Sequence, residues 1–287
     1  VGEVGGAVSG FPILCSACPG WVCYAEKRHG DYILPHISRV KSPQQIMGVL
    51  VKKYLAKKLK IDPKNIYHTS VMPCFDKKLE ASRQDFVDEV TQNKEVDCVV
   101  TSMELVELME EKKVGWGQLE EMNLDRQLSN VDNQGNLYGN TGGSGGYAET
   151  MFRCAAKEKW GVEVDKVEFV NKRNQDMKVA TLKVEGKVVL NVAIANGFRN
   201  IQNLLRNAKQ GKCPYHYVEV MACPSGCLNG GAQVPLNTQM KSAKKLLLEV
   251  SEIYHTQKER RGESERVREV YSEWVGGGVG SREAIEL

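Results

Sequence analysis

Glu219-Val-Met-Ala-Cys-Pro-Ser-Gly-Cys-Leu-Asn-Gly-Gly231 decides how this chain is read. An apolar run from Tyr215 to Met221 is predicted as a strand, and it delivers Cys223 and Cys227 onto a loop of Pro, Ser and Gly. Two other stretches repeat the arrangement. Phe11-Pro-Ile-Leu14 is a short strand candidate leading to Cys15 and Cys18, with Pro19-Gly20 behind them. Ile66 to Val71 reads as a strand with Met72-Pro-Cys74 just past its end. Loops at the carboxyl ends of strands are where α/β folds place ligands. Three such loops, from distant parts of the chain, are therefore expected to meet at one cleft.

Outward from these loops, strand and helix signals alternate, which argues an α/β architecture. Ser42-Pro43 opens a helix to about Lys60, with Ser as cap, Pro at the first helical position and Ile46, Leu50, Tyr54 and Leu55 at helical spacing. Val96 to Thr101 is a strand feeding a helix from Ser102 to Lys113, and Tyr147 to Trp160 is a further helix. Lys178–Val184 and Lys187–Ala195 flank Glu185-Gly186, a two-residue hairpin signal. Asn200–Lys209, Gln239–Gln257 and Ser264–Val275 read as helices. Asp125 to Gly146 is polar and rich in Asn and Gly, the mark of a boundary or a long loop. The expected division is residues 1–124 as one α/β lobe with Cys18 and Cys74, 125–237 as a second with Cys223 and Cys227, and 238–287 as closing helices.

The composition is that of a soluble globular protein: 287 residues, 41% apolar and 26% charged. A net charge of +3, from 39 basic and 36 acidic side chains, gives no stripe for tracking phosphates, so no nucleic-acid partner is expected. Lys52-Lys53 and Lys57-Lys58 read as solvated helix faces. No apolar run reaches the roughly 18 residues of a spanning helix, so no membrane partner is expected. Val1 to Gly10 has no basic region and no initiator Met, so the chain reads as the carboxyl-terminal portion of something longer.

Nine cysteines, an odd number without a regular framework, do not make a secreted disulfide scaffold. They suit a reducing compartment with thiolates kept for metal. Pro and Gly beside Cys18, Cys74, Cys223 and Cys227 let the backbone approach and donate to sulfur, as cluster iron requires. Four thiolates suit structural zinc as well, and spacing leaves both open. Cys98, in an apolar strand, and Cys154, inside a helix, read as buried small hydrophobes. Gly142-Gly-Ser144-Gly-Gly146 matches a hydrolase elbow pattern but lacks the apolar strand that elbow needs. His29, His36, His68, His216 and His255 show no ligand spacing.

At these cysteines the chain resembles the iron-only hydrogenase family. Ser16-Ala-Cys-Pro-Gly-Trp21 is similar to its first signature, Met72-Pro-Cys-Phe-Asp-Lys-Lys-Leu-Glu80 to its second, and Glu219 to Gly231 to its third. Within it, Ile33-Leu-Pro-His-Ile37, Ser42-Pro-Gln-Gln45, Asn196-Gly-Phe-Arg-Asn-Ile-Gln-Asn203 and Cys213-Pro-Tyr-His-Tyr217 resemble the eukaryotic cytosolic iron–sulfur assembly branch, the prelamin A recognition factor-like proteins.

The resemblance implies a two-lobed hydrogenase-like α/β fold with a [4Fe–4S] cluster in the inter-lobe cleft, held by Cys18, Cys74, Cys223 and Cys227. Cys15 and Cys23 have no ligand role in it. Lys77 falls where hydrogenases carry a Lys beside a dinuclear iron unit, and implies a cation offsetting cluster charge. Ala17 stands where hydrogenases place a proton-relay Cys, so the expectation is a non-enzyme. The function the resemblance implies is cluster holding or relay to a targeting complex of WD40- and HEAT-repeat proteins, expected in the cytoplasm and also in the nucleus. A redox enzyme of hydrogenase type and a prelamin A-binding protein are the alternatives. A second, amino-terminal cluster is expected only in a longer chain, and the Ile285-Glu-Leu287 ending lacks the aromatic residue used for docking in the assembly branch.

Overall fold

The computed structural model describes residues 12–132, 134–139, 142, 144–234, 242–256, 258–259 and 265–276. It begins with β1 (Ile13–Cys15), α1 (Pro19–Ile33) and α2 (Pro43–Val49), the last running through a π-helical turn (Leu50–Leu55) into α3 (Ala56–Leu59). Next come β2 (Thr69–Met72), α4 (Asp76–Ala81), β3 (Cys98–Thr101), α5 (Ser102–Glu111) and the short β4 (Tyr138–Gly139). Then follow α6 (Tyr147–Trp160), β5 (Val170–Asn171), β6 (Met177–Val184), β7 (Lys187–Asn196), α7 (Phe198–Lys209) and β8 (Tyr217–Met221). The described chain closes with α8 (Ala243–His255), β9 (Lys258–Glu259) and α9 (Glu265–Val270), which a second π turn (Tyr271–Val275) continues. This is the α/β class expected.

Local chemistry sets most of these boundaries. The Ser42 hydroxyl accepts the Gln45 N–H at 3.4 Å and Pro43 occupies the first helical position of α2. Thr101 and Glu104 form a reciprocal capping box at α5. Glu185 and Gly186 both take positive φ, +52° and +78°, the geometry that turns a right-twisted hairpin between β6 and β7.

Five strands form the main sheet in the order β1-β8-β7-β6-β5, parallel through β1, β8 and β7 and antiparallel beyond. One face buries Leu14, Ala193, Ala195, Val218 and Val220 under Trp21 of α1 and Ile201, Leu204 and Leu205 of α7. The other buries Ala180, Leu182, Leu190 and Val192 under Ala148, Phe152 and Ala156 of α6. Burial of side chains from both faces makes this three-layer body the apolar core.

The second body is different in kind. β2 and β3 form a two-stranded parallel pair with a small apolar cluster of Ala81, Val96 and Val99. Around it are buried polar groups: Ser42, Gln44, Gln45, Lys52, Lys77, Glu80 and Glu95.

Several expectations change. Strand β1, three residues before Cys18, hydrogen-bonds to β8, which leads to Cys223 and Cys227. Helices α1 and α4 were not anticipated. Lys52 is not solvated: it is 5% exposed and paired with Asp97 at 2.7 Å. Cys154 is exposed and Cys98 partly so, contrary to the reading of both as buried. The expected starts at Phe11, Gln239 and Ser264, and both chain ends, lie outside the described residues.

Candidate metal centre

Each of the four cysteines singled out in the sequence sits on a loop fastened by backbone hydrogen bonds. Cys18 caps α1 with extended backbone; its N–H donates to Ser16 Oγ at 3.0 Å, and its Sγ accepts the Ala222 N–H at 3.5 Å. That last contact ties the Cys18 loop to the end of β8. Cys74 follows β2, and the preceding Pro73 carbonyl accepts the Ala232 N–H at 3.0 Å. The close approach explains Gly230, where an added Cβ would stand 2.1 Å from the Pro73 oxygen. Between Cys223 and Cys227 the chain turns through Ser225 and Gly226 at φ +62° and +72°. Gly226 donates to the Cys223 carbonyl at 3.1 Å and Gly230 to that of Cys227 at 3.0 Å.

The four thiols meet electrostatically. Burial pushes the Cys223 thiol up to about 11, and the neighbouring Cys18, Cys74 and Cys227 push in the same direction. Cys74 is raised by burial, then by Asp76 and Cys18. Cys227 is raised by burial and by Cys18 and Glu219, and is opposed by a hydrogen bond from Ser144 and by the charge of Lys77. Thiols crowded this way resist ionising together unless a cation joins them, which is what a metal core supplies. The donor set therefore fits an iron–sulfur or zinc group. Among the described residues no three His, Cys, Asp or Glu side chains stand close enough to hold a single metal ion.

Lys77 is buried, 8% exposed, and held 3.0 Å from Glu80 Oε2 and 3.2 Å from Oε1. Glu80 in turn accepts from Ser42 Oγ and from the side-chain amides of Gln44 at 3.3 Å and Gln45 at 3.4 Å. This cage joins the start of α2 to α4, immediately after Cys74. Ala17 is buried beside Cys18. Cys15 is buried and Cys23 partly so.

Three residues near these cysteines were not assigned to a metal centre by sequence reasoning. Ser144 accepts the Cys227 N–H at 2.9 Å. Glu80 anchors Lys77. Glu219, on β8, is 2% exposed; its Oε2 accepts the Ala148 N–H at the start of α6 at 2.8 Å, while among the described residues its Oε1 lacks a well-formed hydrogen bond. Burial pushes this carboxyl up to about 7. A readable signal existed for Glu219, since one acidic residue interrupts the apolar run Tyr-Val-Glu-Val-Met of a buried parallel strand. A separate cavity of about 220 Å³, lined by Lys52, Lys53, Lys57, Asp88 and Glu95 among others, contains none of the cysteines.

The mixed-sheet α/β fold and its cysteine loops are those of one class: residues 6–231 match the iron only hydrogenase large subunit, C-terminal domain, and the chain belongs to that family. Among its relatives, a protein named cytosolic Fe-S cluster assembly factor narfl from Xenopus tropicalis is 49% identical over 266 residues, covering 92% of this chain and 56% of the relative. Cytosolic iron-sulfur assembly component 3 from Mus musculus is 49% identical over 268 residues, 93% of this chain and 56% of that protein. The chain thus spans little more than half the length of these relatives. Solved [FeFe]-hydrogenase HydA1 structures from Chlamydomonas reinhardtii share the fold. An apo variant superposes with a TM-score of 0.79 at 28% identity, covering 96% of this chain and 75% of that one. A second variant gives 0.80 at 27% identity, covering 98% and 76%.

Proposed function

We propose that the chain holds a [4Fe–4S] cluster on Cys18, Cys74, Cys223 and Cys227 and serves cytosolic iron–sulfur protein assembly without turning over a substrate. The observation that carries the cluster is the meeting of these four thiols, from three loops, in one electrostatically coupled group. A single tetrahedral zinc, at about 2.3 Å from each sulfur, needs sulfurs about 3.8 Å apart. A cubane, with iron at four corners, takes up a wider set. When bound, the cluster supplies one-electron chemistry.

The names of the relatives support the assembly role and the cytosol as its place. In this reading Lys77 offsets the negative charge of a thiolate-bound cluster near Cys227. Ala17 offers neither a proton nor an acceptor beside the first ligand, which favours a carrier over an enzyme. The partner is the targeting complex of WD40- and HEAT-repeat proteins, to which the cluster is relayed.

The test is metal analysis of the protein purified without oxygen. About four iron and four acid-labile sulfide per chain are expected. Stoichiometric zinc without sulfide would overturn the cluster reading.

A further inference from the structure

Ser144 lies in the Gly-rich stretch that resembled a nucleophile elbow, yet it faces the last cysteine loop. Its hydroxyl accepts the Cys227 N–H at 2.9 Å, and beside the Cys227 thiol it favours the ionised sulfur. A hydroxyl has one proton and two lone pairs, so accepting from the amide leaves its proton to donate to sulfur. The approach is close: a Cβ added at Gly226 would stand 2.2 Å from Ser144 Oγ, and Gly226 sits at φ +72°. On the next residue, a Cβ added at Gly145 would stand 4.0 Å from the Ala17 Cβ. Ser144 is therefore wedged against the Cys227 loop, with its neighbour against the residue before the first ligand.

We propose that Ser144 is the positioning residue of the Cys227 ligand: it fixes the loop through the amide and would direct its hydroxyl proton at the sulfur of a bound cluster. This rests on the cluster reading above. A hydrogen bond at a ligand sulfur withdraws electron density and stabilises the reduced cluster, so Ser144 also sets the reduction potential. A serine that served only to fasten the loop would leave the potential unmoved.

The experiment compares Ser144→Ala and Ser144→Thr with the anaerobic wild type. Midpoint potential and the iron–sulfur stretching bands in resonance Raman are read on the loaded protein, and exchange of the Cys227 amide on the metal-free protein. Ser144→Ala is expected to keep iron and sulfide, shift the potential negative, alter the stretching bands and speed exchange of the Cys227 amide roughly two- to tenfold. Ser144→Thr, which retains the hydroxyl, is expected to return these toward wild type. A Ser144→Ala protein with wild-type potential, bands and exchange overturns the proposal. If that variant cannot be loaded, faster exchange confined to the Cys227 loop supports the positioning role, and unchanged exchange overturns it. If the wild type itself carries no iron and sulfide, the cluster reading falls, and the exchange comparison still decides whether Ser144 holds Cys227.

Discussion

Replacing Glu219 with Gln probes the most costly polar group in the sheet. The carboxyl is 2% exposed and its Oε2 accepts the Ala148 N–H, while among the described residues Oε1 lacks a well-formed hydrogen bond. Desolvation lifts its pKa from the ordinary 4.5 to about 7, against hydrogen bonds from the Ala148 and Tyr147 amides that pull it down. The folded state therefore holds this proton more tightly than the unfolded state does. Below about pH 4.5 both states are protonated and the fold keeps its full stability. Between about 4.5 and 7 the unfolded chain ionises first and stability falls as pH rises; above 7 the loss is complete. The shift corresponds to about 3 kcal/mol. Urea unfolding at fixed pH, from 4.5 to 8, should show wild type losing about 3 kcal/mol more over that range than Glu219→Gln. Any constant offset from the new amide cancels in the comparison. The infrared carbonyl stretch of a protonated carboxylic acid should persist in wild type at pH 6 and be absent from the variant. Parallel pH profiles for the two proteins would refute the reasoning.

Cys74→Ala and Cys223→Ala should abolish the broad visible thiolate-to-iron absorption, while Cys98→Ala and Cys154→Ala leave it intact. An indispensable Cys15 with a dispensable Cys18 would show that the first loop has been misassigned. Glu80→Ala strands the buried Lys77 cation and should cost about 3–5 kcal/mol in unfolding experiments, with Glu80→Gln milder. Neither wild type nor Ala17→Cys should evolve hydrogen from reduced dye under anaerobic conditions; robust evolution by the wild type would promote the enzyme reading.

The sequence was most legible where chemistry is local. Pro and Gly around the cysteines marked the loops, Ser42-Pro43 and Tyr147–Trp160 marked helices, and Glu185-Gly186 marked the hairpin. What stayed hidden depended on distant partners. Helix α1 carries Glu26-Lys27-Arg28-His29-Gly30-Asp31 and breaks helical geometry at His29 with φ −143°, so its apolar pattern is thin; Pro19 at its first position was the available clue. Helix α4, six residues long, is too short to show a period. Lys52 and Glu80 look like surface charges because Asp97, Ser42 and the Gln44 and Gln45 amides that bury them lie tens of residues away. Ser144 is likewise 83 residues from the amide it accepts.

The pairing of β1 with β8 joins Leu14 to Val218, 204 positions later. At about 5–20 residues per second, a ribosome needs about 10–40 s to travel that distance. Throughout that interval the nascent chain carries Cys15, Cys18 and Trp21 beside a strand whose β8 edge is unpaired, a state open to stray pairing, oxidation and capture of the wrong metal. The last thiol, Cys227, emerges only after the sheet has its partner strand. A group held on Cys18, Cys74, Cys223 and Cys227 together would therefore be completed only after translation has passed the Cys227 loop, and until then the earlier thiols would need a guard.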